Sequence, residues 1–189
     1  MKTALIVVDI QNDYFPNGKM ELVGTDVAAR NAGRLLASFR ESKRPIFHIQ
    51  HINGPNALFF AHGTSGSEIH ESVRPQENEP VIQKSSPNSF HKTSLLGDLQ
   101  DEGIEKAIIC GAMSHMCIDA TTRAASDFGF DCIVAHDACA AKDLEFEGSS
   151  IAADKVHGSF MAALSFAYAK VVSTDEAIST ISKVQTSEP

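Results

Sequence analysis

Six short apolar runs recur along the chain: Ala4–Val8, Pro45–Ile49, Val81–Gln83, Lys106–Cys110, Cys132–Ala135 and Lys170–Ser173. Most are separated by segments with helical spacing. Asp26–Arg40 sets Val27, Ala28, Ala32, Leu35, Leu36 and Phe39 near one face, and Ser94–Asp101 carries Leu95, Leu96 and Leu99. Met116–Asp127 is rich in Ala and Thr, and Ile151–Ala169 is a long Ala/Phe/Met pattern. The runs are continuously apolar rather than alternating, as strands covered on both faces are. Strand and helix in alternation predict βαβ units: an α/β fold with an open, mainly parallel, Rossmann-like sheet of about six strands and helices on both faces. A chain of 189 residues suits one domain, 1–189, which would bury roughly 70% of its unfolded surface.

Residues 53–79 break the pattern. The stretch NGPNALFFAHGTSGSEIHESVRPQENE is rich in Gly, Pro, Asn and Ser. Long irregular segments in compact domains are usually functional or disordered, and the embedded Leu58-Phe59-Phe60 argues against plain disorder. The reading is a loop over a site, with one short helix around Ser67–Val73. Thr186–Pro189 reads as a frayed end.

The net charge of −8 disfavours nucleic acid or an anionic membrane as the main partner. The N-terminal apolar run breaks at Asp9 and is far too short to span a bilayer, which fits a cytoplasmic protein. The first strand–helix junction, Asp9 to Phe15, has no Gly-rich turn. Neither a dinucleotide fingerprint nor a phosphate loop is present, and no cofactor is expected.

Cys110, Cys117, Cys132 and Cys139 form no C-x-x-C pair, which weakens zinc and thioredoxin-type readings. A disulfide framework is not expected at this size and composition. Cys110 and Cys132 lie in apolar strand runs and read as buried hydrophobes; Cys139 follows a strand but has no assigned partner. Cys117 differs. It follows the run ending at Cys110 and opens a helical pattern, where free N–H groups and the positive helix end favour a thiolate. Asp9 closes Leu5–Val8, and Lys84 follows Val81–Gln83. In an open parallel sheet these strand ends converge on one edge, where ligands bind. Taken singly, such an Asp is usually a cap, such a Lys is usually solvated and such a Cys usually packs. Their order and shared context single out a site.

Three blocks carry a family resemblance: ALIVVDIQNDYF around Asp9, VIQKSSPNSF around Lys84 and IICGAMSHMCIDATTRAASDFGF around Cys117, with VAHDACAA following. Together they resemble the isochorismatase-like cysteine hydrolases, which include nicotinamidase and N-carbamoylsarcosine amidase. The resemblance covers nearly the whole chain. It implies a catalytic triad of Asp9, Lys84 and Cys117, an oxyanion hole from the Met113 and Cys117 N–H groups, and a cis peptide between Ala112 and Met113. The chemistry is coherent on its own terms. Asp9 can accept the thiol proton and return it to a leaving amine, Lys84 offsets the Asp9 charge, and backbone N–H groups suit the developing oxyanion.

The expected activity is hydrolysis of a C–N bond in a small amide, lactam or carbamoyl compound through an acyl-enzyme on Cys117. The alternatives are an isochorismatase-type vinyl ether hydrolase, which needs no thiol, and a non-enzymatic binding or redox protein that keeps the fold. Gln11, Asn12 and Asp13 read as caps of the first turn. Tyr14 and Phe15 suit a pocket wall or the core, and Phe90, after Lys84, suits a pocket wall slightly better than the core. Phe59 and Phe60 are lid residues over the substrate or anchors of the loop, and His115, close to Cys117, contacts substrate or packs. Nicotinamidases hold a metal on an Asp-x-His motif after the second strand. Here Phe47-His48-Ile49-Gln50-His51-Ile52 lacks that motif, and His48 and His51 have opposite parity in an extended segment. No metal is expected, although His62 and His70 lie in the following loop; His136 and His157 read as structural. Family members often form dimers or tetramers, which implies a homodimer or homotetramer. Phe160, Met161, Leu164, Phe166 and Tyr168 would then serve either core or interface.

Overall fold

The computed structural model describes residues 1–182; Thr186–Pro189 lies outside the described residues. Six parallel strands form the sheet: β1 (Thr3–Val8), β2 (Ile46–His51), β3 (Val81–Lys84), β4 (Lys106–Ala112), β5 (Asp131–Ala140) and β8 (Lys170–Val172). Their spatial order is β3-β2-β1-β4-β5-β8. The chain therefore winds outward from β1 to β3, then returns to lay β4 beside β1. That reversal opens a crevice at the carboxyl ends of β1 and β4, where open α/β sheets bind ligands. All six expected strands are present.

Alternation along each strand builds two cores. Leu5 and Val7 of β1 join Ile46, Ile108, Cys110 and Ile133 under α1 (Thr25–Glu41) and α5 (Thr174–Ser182). Ala4, Ile6 and Val8 join Phe47, Ile49, Ile109 and Val134. Those residues lie under α2 (Leu95–Asp101), α3 (Asp119–Asp127) and α4 (Ala153–Ala167). Helices thus cover both faces, and α1 turns a stripe of Ala28, Ala32, Leu35, Leu36 and Phe39 inward. A hairpin of β6 (Leu144–Phe146) and β7 (Ser149–Ile151) precedes α4. Among the described residues no helix is long and apolar enough to cross a membrane.

Gly111 lets the two central strands close on each other at their carboxyl ends. Its φ is +126°, and a Cβ placed there would lie 1.9 Å from the Val8 carbonyl oxygen. The β4–β5 register shifts between Ile109 and Gly111, just before the turn that carries Cys117.

Residues 53–79 form an ordered cover with two separate single turns, Ser65–Ser67 and Glu71–Val73, in place of one helix over 67–73. The cover is fastened to the loop after β1. Gln11 accepts from the His51 N–H at 2.7 Å and donates to the carbonyls of His51 and Ser67 at 2.9 and 2.8 Å. Asn12 donates to the Ser65 carbonyl at 2.8 Å, and the Asp13 carboxylate accepts from the Phe60 N–H at 2.7 Å. The capping role expected for these three residues is therefore corrected. No side chain caps the turn at Asn12–Tyr14, because all three are occupied in clamping the cover.

Candidate active site

Asp9, the first residue beyond β1, has a φ of +51° and donates its N–H to the Ile49 carbonyl at 3.0 Å. The backbone thus leaves the sheet here with the carboxylate turned inward. Asp9 Oδ2 lies 2.7 Å from Lys84 Nζ, and both side chains are fully buried. Lys84 Nζ also donates to the carbonyls of Ser86 and Pro87 at 3.1 and 3.0 Å. An ammonium has three donors, so Lys84 is fully committed and held in one position. Beyond the ion pair, neither Asp9 oxygen takes a hydrogen bond of normal geometry. Burial works against the Lys84 charge, but Asp9 and Cys117 outweigh it and hold the Lys84 pKa above its ordinary value.

Cys117 belongs to a π-helical turn, Ser114–Ile118, that runs directly into α3. The Ile118 N–H closes that turn on the Met113 carbonyl at 3.1 Å. The Ala112–Met113 peptide before it is cis, as the family resemblance implies. The thiol is 4% exposed and lies within hydrogen-bonding reach of Asp9 and Lys84. The helix end and the Lys84 charge favour a thiolate, and burial opposes it. Burial, reinforced by Asp9 and opposed by Lys84, pushes the Cys117 thiol well above its ordinary value. That direction favours the protonated thiol over the thiolate. The other three cysteines are also free and buried.

The candidate substrate residues divide. Tyr14 stacks obliquely on Phe60 with centroids 4.6 Å apart, and Phe59 completes the cluster at 5.1 Å from Phe60. Burial, then the charges of Asp9 and Cys117, raise the Tyr14 pKa, which places its hydroxyl in the field of the triad. Phe15 instead stacks on His70 with centroids 3.6 Å apart. Phe90 packs on Phe128 and Phe130, in the buried cluster that also holds Cys117. His115 is on the same turn as Cys117 but turns its ring toward Phe160 of α4, at 6.1 Å.

The two β2 histidines separate as their parity requires. His48 donates from Nε2 to Glu79 Oε2 at 2.9 Å, and Arg40 holds the same carboxylate through two bonds of 2.7 and 2.8 Å. His51 instead ends β2 at the triad: a ring nitrogen, an Asp9 oxygen and the Cys117 sulfur all lie within 4.8 Å of one another. Sequence reasoning considered His51 only as part of an incomplete metal motif. The available signal was that it closes a strand at the same edge, and it pairs in register with Lys84. His62 is exposed.

Comparison with known proteins supplies the family. The Isochorismatase domain matches residues 3–167. The isochorismatase family protein YddQ of Bacillus subtilis is 54% identical over 176 residues, covering 93% of this chain and 98% of that protein. The secreted isochorismatase effector Isc1 of Verticillium dahliae is 33% identical, covering 75% of this chain and 74% of that protein. Streptothricin hydrolase of Streptomyces noursei is also 33% identical, over 75% of this chain and 50% of its own length. A crystal structure of an isochorismatase-hydrolase candidate from Oleispira antarctica superposes with a TM-score of 0.92 at 51% identity, covering 94% of this chain and 96% of that one.

Proposed function

We propose that this chain, which belongs to the isochorismatase domain family, is a cysteine hydrolase that cleaves a C–N bond in a small amide, lactam or carbamoyl compound. The observation that carries the reading is the fully buried Asp9–Lys84 pair at 2.7 Å beside the Cys117 thiol. A buried ion pair costs desolvation and adds little net stability, so its place against a nucleophile is better explained by chemistry.

The resting thiol is neutral. When a carbonyl carbon is presented to Cys117, Asp9 takes the S–H proton and sulfur attacks. Lys84, fixed by three acceptors, compensates the carboxylate before transfer and does not itself exchange a proton. The oxyanion is received by the Met113 and Cys117 N–H groups on the turn around the cis peptide. Preorganised donors of this kind are commonly the largest catalytic term. Collapse breaks the C–N bond, the Asp9 proton leaves with the amine, and a thioester remains. Water attacks the thioester, giving its proton to Asp9; sulfur departs and is reprotonated. Tyr14, Phe59 and Phe60 make the apolar wall that keeps bulk water out.

A vinyl ether hydrolase fits the family name, but that chemistry needs no thiol. The test is a panel of small amides, lactams and carbamoyl compounds assayed for ammonia or amine release, with intact-mass detection of the acyl-enzyme. Turnover that disappears in Cys117→Ala, with an adduct on Cys117 in the wild type, is the expected result. Full activity in Cys117→Ala would overturn the reading.

A further inference from the structure

We propose that the triad edge is also a binding site for one thiophilic divalent cation, with Zn²⁺ the best match, held by Asp9, His51 and Cys117. Bound there, the ion is a reversible inhibitor, a consequence that rests on the hydrolase reading above. Three observations support the site. The three donor atoms lie within 4.8 Å of one another, so shifts of about 1 Å bring them to roughly 2.0–2.3 Å from a shared ion. The Asp9 carboxylate is completely buried; Lys84 holds one oxygen at 2.7 Å, and the Cys117 thiol lies within hydrogen-bonding reach of the carboxylate. A cation bound between Asp9 and the sulfur would take the place of that thiol proton.

The third observation is the setting of His51. Its Nε2 lies 3.0 Å from Asn53 Oδ1, while Asn53 Nδ2 donates to the Phe59 carbonyl at 3.0 Å. Because the amide nitrogen of Asn53 is engaged, its oxygen must accept, so Nε2 carries the hydrogen. The Nδ1 lone pair is then free, as a metal-bound imidazole requires, and the hydrogen-bonded partner fixes its orientation. One carboxylate, one imidazole and one thiolate form a donor set that zinc accepts, and a water completes four-coordination. Hard cations such as Mg²⁺ prefer oxygen ligands and are excluded by the sulfur.

Binding needs no oxidant or reductant. The Cys117 S–H proton is released to solvent as the S–Zn bond forms, while Lys84 keeps its hold on the other Asp9 oxygen. Affinity therefore rises with pH. The groups facing the site are Asp9, Lys84, His51, Cys117 and Tyr14; of these, the thiol is the group that must lose its proton. With sulfur coordinated, no nucleophile is left for a carbonyl.

Cobalt(II) is a coloured probe for the site. Reduced protein stripped with a chelator and titrated with Co²⁺ should show a near-ultraviolet thiolate-to-cobalt band and visible tetrahedral bands. These should saturate at one ion per chain and be lost on addition of Zn²⁺. Cys117→Ser should abolish the thiolate band, His51→Ala should weaken binding by about tenfold or more, and Cys139→Ser should change neither. Circular dichroism confirms that each variant is folded, and Asn53→Ala, which leaves all three ligands in place, should weaken binding less than His51→Ala. The absence of a thiolate band in the wild type, its persistence in Cys117→Ser, or unchanged affinity in His51→Ala would overturn the site. Catalysis is read separately. Amide turnover without the cobalt band defeats this inference alone, whereas the band without turnover in the metal-free protein defeats the hydrolase reading.

Discussion

Removing the buried ion pair one partner at a time should cost far more than removing it whole. At 2.7 Å and an effective dielectric of 20, the gross attraction between Asp9 and Lys84 is about 6 kcal/mol. Desolvating each ion costs several kcal/mol, so the pair nearly breaks even as a unit. Lys84→Met strands a fully buried carboxylate and should cost about 3–5 kcal/mol. Asp9→Asn should cost about 3 kcal/mol, the low end of that range, because the ammonium keeps its two carbonyl acceptors. Asn also accepts the positive φ at this position without added strain. The double variant carries no stranded charge and loses chiefly the bonds to the Ser86 and Pro87 carbonyls, about 2–4 kcal/mol in all. The single losses sum to roughly 6–8 kcal/mol, so the coupling should be about 4 kcal/mol, within about 2–6, in favour of the double variant. The chain has no Trp, so urea unfolding at pH 7 is best followed by far-ultraviolet circular dichroism. Single losses that add to the double loss within about 0.5 kcal/mol would refute the reasoning, because they would show that the charges do not sense each other in a dry site.

Other outcomes follow from the same geometry. Gly111→Ala should lower stability by about 3 kcal/mol or more, since the backbone is in a glycine conformation and the new carbon would strike the Val8 carbonyl; a melting temperature within a few degrees of wild type would contradict this. Iodoacetamide should label Cys117 slowly at pH 7 and faster as pH rises, because the resting group is a buried thiol; rapid labelling at pH 6, seen by peptide mapping, would restore the thiolate reading. Glu79 carries an acid-stability signature. Burial would raise its pKa, but Arg40, the Gln76 N–H and His48 overcome burial and lower it from 4.5 to about 2. A lowered carboxylate pKa stabilises above the unfolded value and is lost as pH falls through the folded one. The shift is worth up to about 3 kcal/mol. Glu79→Gln should therefore be about 2–3 kcal/mol less stable than wild type at pH 7 and should converge with it toward pH 2. An equal deficit at pH 7 and pH 3 in urea midpoints would assign the loss to packing instead.

The sheet was legible because its central strands carry uninterrupted apolar runs, Ala4–Val8, Ala107–Cys110 and Cys132–Ala135, and α1 because its apolar stripe is regular. Two elements were not. The β6–β7 hairpin consists of three-residue strands that are largely exposed, so no burial pattern marks them. The last helix, TDEAISTIS, is short and polar at its start; Ala177 and Ile181 enter the core, and Ile178 packs against it. At the site, Asp9, Lys84 and Cys117 could be read because each ends or follows a strand, a feature local in sequence. The state of the thiol could not, since helix position and a nearby cation both argue for ionisation and only the three-dimensional burial argues against it.

The histidines of β2 show how one strand serves two purposes. Positions three apart in an extended segment face opposite ways, so His48 and His51 could never have shared a ligand. His48 completes the Arg40–Glu79 cluster under α1, whereas His51 reaches the thiol. Between them stands Gln50. Its amide donates to the Ser67 carbonyl at 2.9 Å and its oxygen accepts from Gln83 at 3.0 Å. Gln50 therefore ties the cover to the sheet, alongside the Gln11 bond to the same carbonyl. An aspartate at this position would lose the donor to Ser67 and loosen the cover. Gln50 thus fastens the cover to the sheet, while His51, next along the strand and on the opposite face, adjoins Asp9 and Cys117.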